Sequence, residues 1–182
     1  MAATLLTSPP QISLPCRFAL VKTVWGHAAF MARGETLVRL FLPDRDRSRL
    51  LKTIRAAGDK PRRDDEVLPE LRLFLENYFN GTPAAFTGSI DISWAGPFGR
   101  KVLAQCHRIK PGQTLTYGRL AEKAGSARAA RAVGSVMASN PTPLVIPCHR
   151  VVGANGVRGG FSAPGGLKTK LRLLSLEKST WV

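Results

Sequence analysis

Pro147-Cys148-His149-Arg150 places a thiol, an imidazole and a guanidinium on consecutive residues. A thiolate is a strong nucleophile and a neutral thiol a poor one. The chemistry open to this group is therefore nucleophilic attack, with His149 taking the thiol proton and Arg150 favouring the anion. Pro147 lacks an amide hydrogen and stiffens the approach. The flanking Leu144-Val145-Ile146 and Val151-Val152 are apolar and largely β-branched, as in a buried strand. Neighbouring side chains on a strand face opposite ways, so Cys148 and His149 communicate only through a bend or a bridging water. Two other readings stay open for these residues. A cysteine between apolar runs also serves as a small core residue. Cys106-His107 and Cys148-His149 together offer four zinc-type ligands, although the finger spacing is absent and Cys106 lies on an apolar helix face.

The elements that must position such a group fall in two halves. Residues 18–23, 27–32 and 36–42 form short apolar-rich runs, the last two separated by Arg33-Gly34-Glu35, which predicts an antiparallel meander. A helix is expected over 44–57, ended by Gly58, and another over 68–79, with Pro69 in its first turn and Gly81 and Pro83 closing it. Between them, 60–66 reads as a mobile charged loop. A strand at Phe86-Thr87-Gly88-Ser89-Ile90-Asp91-Ile92 leads to a hinge at Ala95-Gly96-Pro97, which sets domains of 1–95 and 96–182. The second half reads as short helices: 98–110 with Phe98, Val102, Cys106 and Ile109 buried, one beginning at Tyr117 after a Thr116 cap, and 127–138. The expected class is α+β, with an N-terminal antiparallel sheet plus helices and a mostly helical, winged-helix-like C-terminal domain.

The chain has 182 residues, 44% hydrophobic and 21% charged, enough for two cores. Its 27 Lys and Arg outnumber 12 Asp and Glu, a net charge of +15 that points to a polyanionic partner. Three cysteines build no disulfide framework and suit a reducing compartment. No secretory leader and no run of about 18 apolar residues is present, so the expectation is a soluble, cytoplasmic, DNA-associated protein, nuclear if the source is eukaryotic.

Two short helices joined at Gly125-Ser126 make a helix-turn-helix candidate. Residues 127–138 carry little beyond Arg128 and Arg131 that could read base edges; Ala130, Gly134 and the other small residues leave a slim face. That argues against a sequence-specific repressor. It fits minor-groove insertion, where little sequence is read.

Ile146-Pro147-Cys148-His149-Arg150-Val151 resembles the signature of the O6-alkylguanine-DNA alkyltransferases, the methylated-DNA–protein-cysteine methyltransferases. Thr116-Tyr117-Gly118-Arg119-Leu120-Ala121, Ala130-Arg131-Ala132-Val133-Gly134, Ser139-Asn140-Pro141 and Gly165-Gly166-Leu167 follow the family's order and spacing. The resemblance is strong over 98–177 and weak over the first 95 residues.

The resemblance implies that Cys148 removes the alkyl group from O6-alkylguanine, and from O4-alkylthymine, in double-stranded DNA and keeps it irreversibly. His149 would deprotonate Cys148 through a water, and Glu177 would orient His149. Tyr117 would donate to the base and crowd the phosphate of the flipped nucleotide. Arg131 would enter the stack in its place, with Arg128, Ala130 and Gly134 along the DNA. Asn140 would tie the cysteine segment in place beside Pro147. The Ser162 amide would donate to O6, and the carbonyls of Cys148 and Val151 would accept from the exocyclic amine. No cofactor or metal is implied, and the protein would act as a monomer. Three features depart from the family pattern: Gly99 and Leu103 in place of glutamine and tryptophan, and the added Ala163-Pro164 at the pocket's lip. A lesion sensor that flips without transfer, or a DNA-binding regulator, is the alternative function; relatives that only sense the lesion lack the cysteine, which is present here.

Overall fold

The computed structural model describes residues 6–7, 14–58, 60–82, 84–154 and 160–181. The chain divides into two compact units, 1–93 and 94–182, two residues before the expected hinge.

In the first unit, β1 (Leu6–Thr7), β2 (Cys16–Thr23), β3 (Gly26–Arg33), β4 (Thr36–Asp44), β5 (Arg62–Arg63) and β6 (Ser89–Asp91) form one sheet. Its order is β1-β6-β4-β3-β2-β5. The expected antiparallel meander is its centre, β2-β3-β4. The sheet as a whole is mixed, because the three short strands β1, β5 and β6 all pair in parallel. Both meander connections are two-residue hairpins. In the second, Gly34 sits at φ +54, the left-handed geometry that a tight hairpin asks of its first loop residue.

All of Ala28 to Ala32 is buried, so β3 is covered on both faces. Helix α1 (Arg47–Ala56) lays Leu50 and Ile54 against Cys16, Leu20, Ala29 and Met31. It starts where Asp46 accepts hydrogen bonds from the amides of Ser48 (2.9 Å) and Arg49 (3.1 Å). Asp46→Ala is expected to cost about 1 kcal/mol, read as a lower midpoint in urea unfolding; an unchanged midpoint would count against the cap. Helix α2 (Pro69–Phe79) packs on β2 and ends at Gly81, φ +76. Pro83 lies outside the described residues.

Two expectations are corrected here. The segment 60–66 is no mobile loop: Arg62 and Arg63 pair with β2, Asp64 bonds Arg17 at 2.9 Å, and Asp65 accepts from the Leu20 amide at 3.2 Å. The carboxylates of Asp64 and Asp65 are thereby tied to the sheet edge. The strand at 86–92 shrinks to Ser89–Asp91; ahead of it the Phe86 ring lies over Gly88, where a Cβ would come within 2.3 Å of it.

The second unit holds α3 (Pro97–His107), β7 (Leu115–Thr116), α4 (Tyr117–Lys123), α5 (Ala130–Ala138), a single 3₁₀ turn (Cys148–Arg150), β8 (Val151–Val152) and α6 (Gly166–Trp181). Helix α3 ends three residues short of Lys110. Its buried face is Gly99, Val102, Leu103 and Cys106, while Phe98 is half-buried. Helices α4 and α5 pack on each other and on α3. Among the described residues no helix is long and apolar enough to cross a membrane.

Candidate active site

The stretch around Cys148 is not a strand. Leu144 adopts φ +70, a left-handed conformation that costs a branched residue about 1–2 kcal/mol. Its side chain is buried, 3% exposed, and packing offsets that cost. The Ile146 amide then donates to Thr142 O (2.9 Å), the Cys148 amide to Ile146 O (2.8 Å) and the Arg150 amide to Pro147 O (2.9 Å). Pro147 has no N–H for a ladder, so the apolar runs coil instead of pairing. Asn140 holds the coil from inside. Its Nδ2 donates to Ile146 O at 2.8 Å, and its Oδ1 accepts from the Thr142 amide and hydroxyl. Only after the 3₁₀ turn does the chain extend, and β8 pairs in parallel with β7, Thr116 opposite Val152. That pairing sets Tyr117 beside the cysteine turn. The Thr116 hydroxyl, accepting from the Arg119 amide at 3.2 Å, starts α4 there.

Behind the turn lies α6. Glu177 Oε1 is 2.7 Å from His149 Nε2, and both side chains are buried. Arg150 donates to the same carboxylate: Nε to both oxygens (3.0 and 3.1 Å), Nη2 to Oε1 (2.7 Å). Its Nη1 donates to Ile109 O at 2.5 Å. Burial raises the Glu177 carboxyl, but the bonds from His149 and Arg150 outweigh it and hold the group at about 2. Burial pushes His149 below its usual range, against the upward pull of Glu177. His149 is thus neutral at physiological pH. With Nε2–H directed at Glu177, the ring lone pair is on Nδ1.

Burial likewise raises the Cys148 thiol, which is 6% exposed; the Asn140 side chain and the charge of Lys170 pull it back part of the way. The resting group is a neutral thiol. This corrects the expectation that Arg150 favours the thiolate, because its guanidinium is committed to Glu177. The cation that does act on Cys148 is Lys170, fully buried. Its Nζ donates to Val151 O at 2.6 Å and lies 5.9 Å from the centre of the Tyr117 ring. Sequence reading passed over Lys170. The available signal was its spacing: Lys170, Leu173 and Glu177 recur at i, i+3 and i+7, which puts two charged residues on the buried face of α6.

A cavity of about 640 Å³ opens over Cys148. Tyr117 lines one side, Ala130, Arg131 and Gly134 of α5 another, and Ser162 the lip. A Cβ at Gly134 would meet nothing within 4 Å, so the slim face of α5 is real space. Helix α5 begins at Ala130, three residues later than expected; Arg128 stays exposed in the preceding turn and does not line the cavity. Pro147 and Asn140 sit behind the cysteine, and Val151 presents its carbonyl to Lys170. The added Ala163-Pro164 forms a closed turn, with the Gly166 amide bonded to Ala163 O (2.9 Å) and the Thr169 hydroxyl to Pro164 O (2.7 Å). By sequence, Gly153-Ala154-Asn155-Gly156 reads as a turn after the cysteine stretch; Asn155 and Gly156 lie outside the described residues. The zinc alternative does not assemble: Cys106 faces the core, His107 Nδ1 contacts Val145 O at 2.9 Å, and His149 Nε2 is held by Glu177. Among the described residues no three His, Cys, Asp or Glu gather as a metal site.

Charge follows the same division. Of the 27 basic residues 14 lie in 94–182, but only two of the 12 acidic ones, so that unit carries +12 of the +15. A buried thiol with an imidazole and a carboxylate behind it thus lies beside the slim helix α5, in the unit that carries most of the basic charge.

Residues 97–179 match the model of the 6-O-methylguanine DNA methyltransferase DNA-binding domain. The chain is 38% identical over 130 residues to the Haemophilus influenzae methylated-DNA–protein-cysteine methyltransferase, covering 70% of this chain and 71% of that one. It is 30% identical over 167 residues to the constitutive enzyme of Bacillus subtilis, covering 90% and 96%. The structure of Mycobacterium tuberculosis OGT in complex with DNA superposes with a TM-score of 0.73 at 28% identity, covering 90% of this chain and 94% of that one. The chain belongs to the methylated-DNA–protein-cysteine methyltransferase family.

Proposed function

We propose that the protein repairs alkylated DNA by moving the alkyl group from O6 of a flipped guanine, or O4 of thymine, onto Cys148, once per molecule. The observation that carries this reading is the buried thiol at the floor of the cavity, with a neutral His149 tethered to Glu177 behind it. His149 Nδ1 takes the Cys148 proton through a water. The sulfur attacks the alkyl carbon, the C–O6 bond breaks, and its electron pair goes to the guanine, which is neutralised by a proton from the Tyr117 hydroxyl. Burial, which raises the Tyr117 hydroxyl, keeps that proton in place until charge develops on the base.

Reaching the cysteine requires the base to leave the duplex. Arg131, exposed on α5 at the cavity mouth, fills the gap, with Ala130 and Gly134 close to the backbone; Arg128 contacts phosphate from the turn. The Ser162 amide on the lip donates to O6, and the carbonyls of Cys148 and Val151 receive the exocyclic amine. Asn140 and Pro147 fix the turn that carries the sulfur. The protein works as a monomer on DNA.

Incubation with duplex DNA containing O6-methylguanine is expected to add about 14 Da, one CH₂, to the Cys148 peptide. An unmodified peptide from protein that still binds the DNA would overturn transfer in favour of lesion sensing.

A further inference from the structure

The sequence signature places Arg150 beside the nucleophile, yet its side chain points away from the cavity. It spends three N–H groups on one carboxylate and the backbone of residue 109. The carboxylate it grips is the one His149 uses, and Oε1 of Glu177 accepts from both. We propose that Arg150 is a positioning residue for alkyl transfer: its fork holds Glu177 as a fixed hydrogen-bond acceptor for His149 Nε2–H, so that the imidazole keeps the tautomer in which Nδ1 is the base. The inference rests on the proposed role of His149.

The physical reasoning is one of charge balance in a dry pocket. The charged groups facing His149 are Glu177 and Lys170 from α6 and Arg150 on its own turn. Cys148 in turn faces Tyr117 of α4 and Cys106 of α3. A buried carboxylate with imidazole as its sole partner draws a proton onto that imidazole, and an imidazolium cannot accept the thiol proton. A guanidinium on the same carboxylate satisfies the charge and removes that pull. The bidentate fork also fixes the plane of the carboxylate, which a point charge does not.

Two readouts test this. The first is the pH dependence of the single-turnover methyl-transfer rate from O6-methylguanine DNA. The second is the His149 ring titration followed by ¹⁵N NMR in protein without DNA. For Arg150→Gln the acid limb and the ring titration are both expected to move up by about one pH unit or more. At a pH well below both limbs a one-unit shift slows transfer about tenfold, since only neutral imidazole is active, and the loss shrinks as pH rises past the shifted limb. Arg150→Lys, which keeps a charge but loses the fork, should fall between the two in limb position and below wild type in rate. Uniform slowing of Arg150→Gln, with both limb and titration at wild-type pH, would mean that Arg150 only supports the fold and would overturn the proposal. If Arg150→Gln does not fold, a lysine variant with wild-type rate and titration overturns it equally. Absence of transfer in the wild-type protein would sink the functional reading, while the ring titration would still decide the part played by Arg150.

Discussion

Cys148→Ala protein is expected to bind duplex DNA within about twofold of the wild type, because affinity comes from phosphate contacts made elsewhere on the basic unit. It is expected to transfer no methyl group at all. The substitution removes one sulfur from a site already open to the cavity, so the fold should tolerate it; the backbone there is set by Asn140, Thr142 and Pro147, none of which bonds through the cysteine side chain alone. No other thiol can substitute: Cys106 is fully buried among core residues with its thiol pushed well up by burial, and Cys16 belongs to the first unit's core. Gel-shift titration gives the affinity, and scintillation counting of labelled methyl groups gives the transfer. Residual transfer above background would refute Cys148 as the acceptor. Lost binding with the fold intact would mean that the thiol, and not the basic surface, holds the DNA.

Glu177→Gln should have the largest effect on stability. Glu177 is the counter-charge of a buried arginine, and removing one partner of a buried pair costs about 3–5 kcal/mol, since the other charge is left uncompensated. The pH dependence has a definite sign. The folded carboxyl sits at about 2 against an ordinary value of 4.5, so its stabilising effect is complete above about pH 4.5 and is lost as pH falls toward 2. That difference corresponds to about 3 kcal/mol. Urea unfolding of the wild type should therefore weaken by about that amount between pH 5 and pH 2 through this group alone. The glutamine variant should start lower at pH 7 and show a shallower acid slope. Equal slopes for the two proteins would show that Glu177 is not the titrating group. A variant as stable as wild type at pH 7 would show that the Arg150 fork contributes nothing net.

Much of the architecture was legible because it rests on local rules. Short apolar-rich runs and a glycine turn predicted β2-β3-β4, and Thr116 and Gly81 marked helix ends through capping geometry. Helix 127–138 began late because small residues carry weak start signals, and Ala129 offers no side-chain cap. The short parallel strands β1, β5 and β6 escaped notice because two or three residues carry no periodicity; partners far along the chain decide their pairing. The strand expected through residues 144–152, bent at Pro147-Cys148-His149, survives only as Val151–Val152, and the bend is a 3₁₀ turn, for a related reason. Its β-branched composition is equally suited to a buried coil, and Pro147, Leu144 and the Asn140 side chain decide between the two.

By itself the sequence determined the residue types: a cysteine beside a histidine, a slim helix bearing Arg131, a tyrosine after a capping threonine, and an excess of basic charge now traced to the second unit. Tertiary structure decided what those groups are electrically. It made Cys148 a neutral thiol and His149 a neutral ring, turned Arg150 away from the sulfur onto Glu177, and brought Lys170 in its place to Val151 and Tyr117. Protonation state depends on burial and on the nearest charges, and in this site two of those charges, Lys170 and Glu177, come from α6, about 20 to 30 residues further along the chain than Cys148, a proximity that only folding creates.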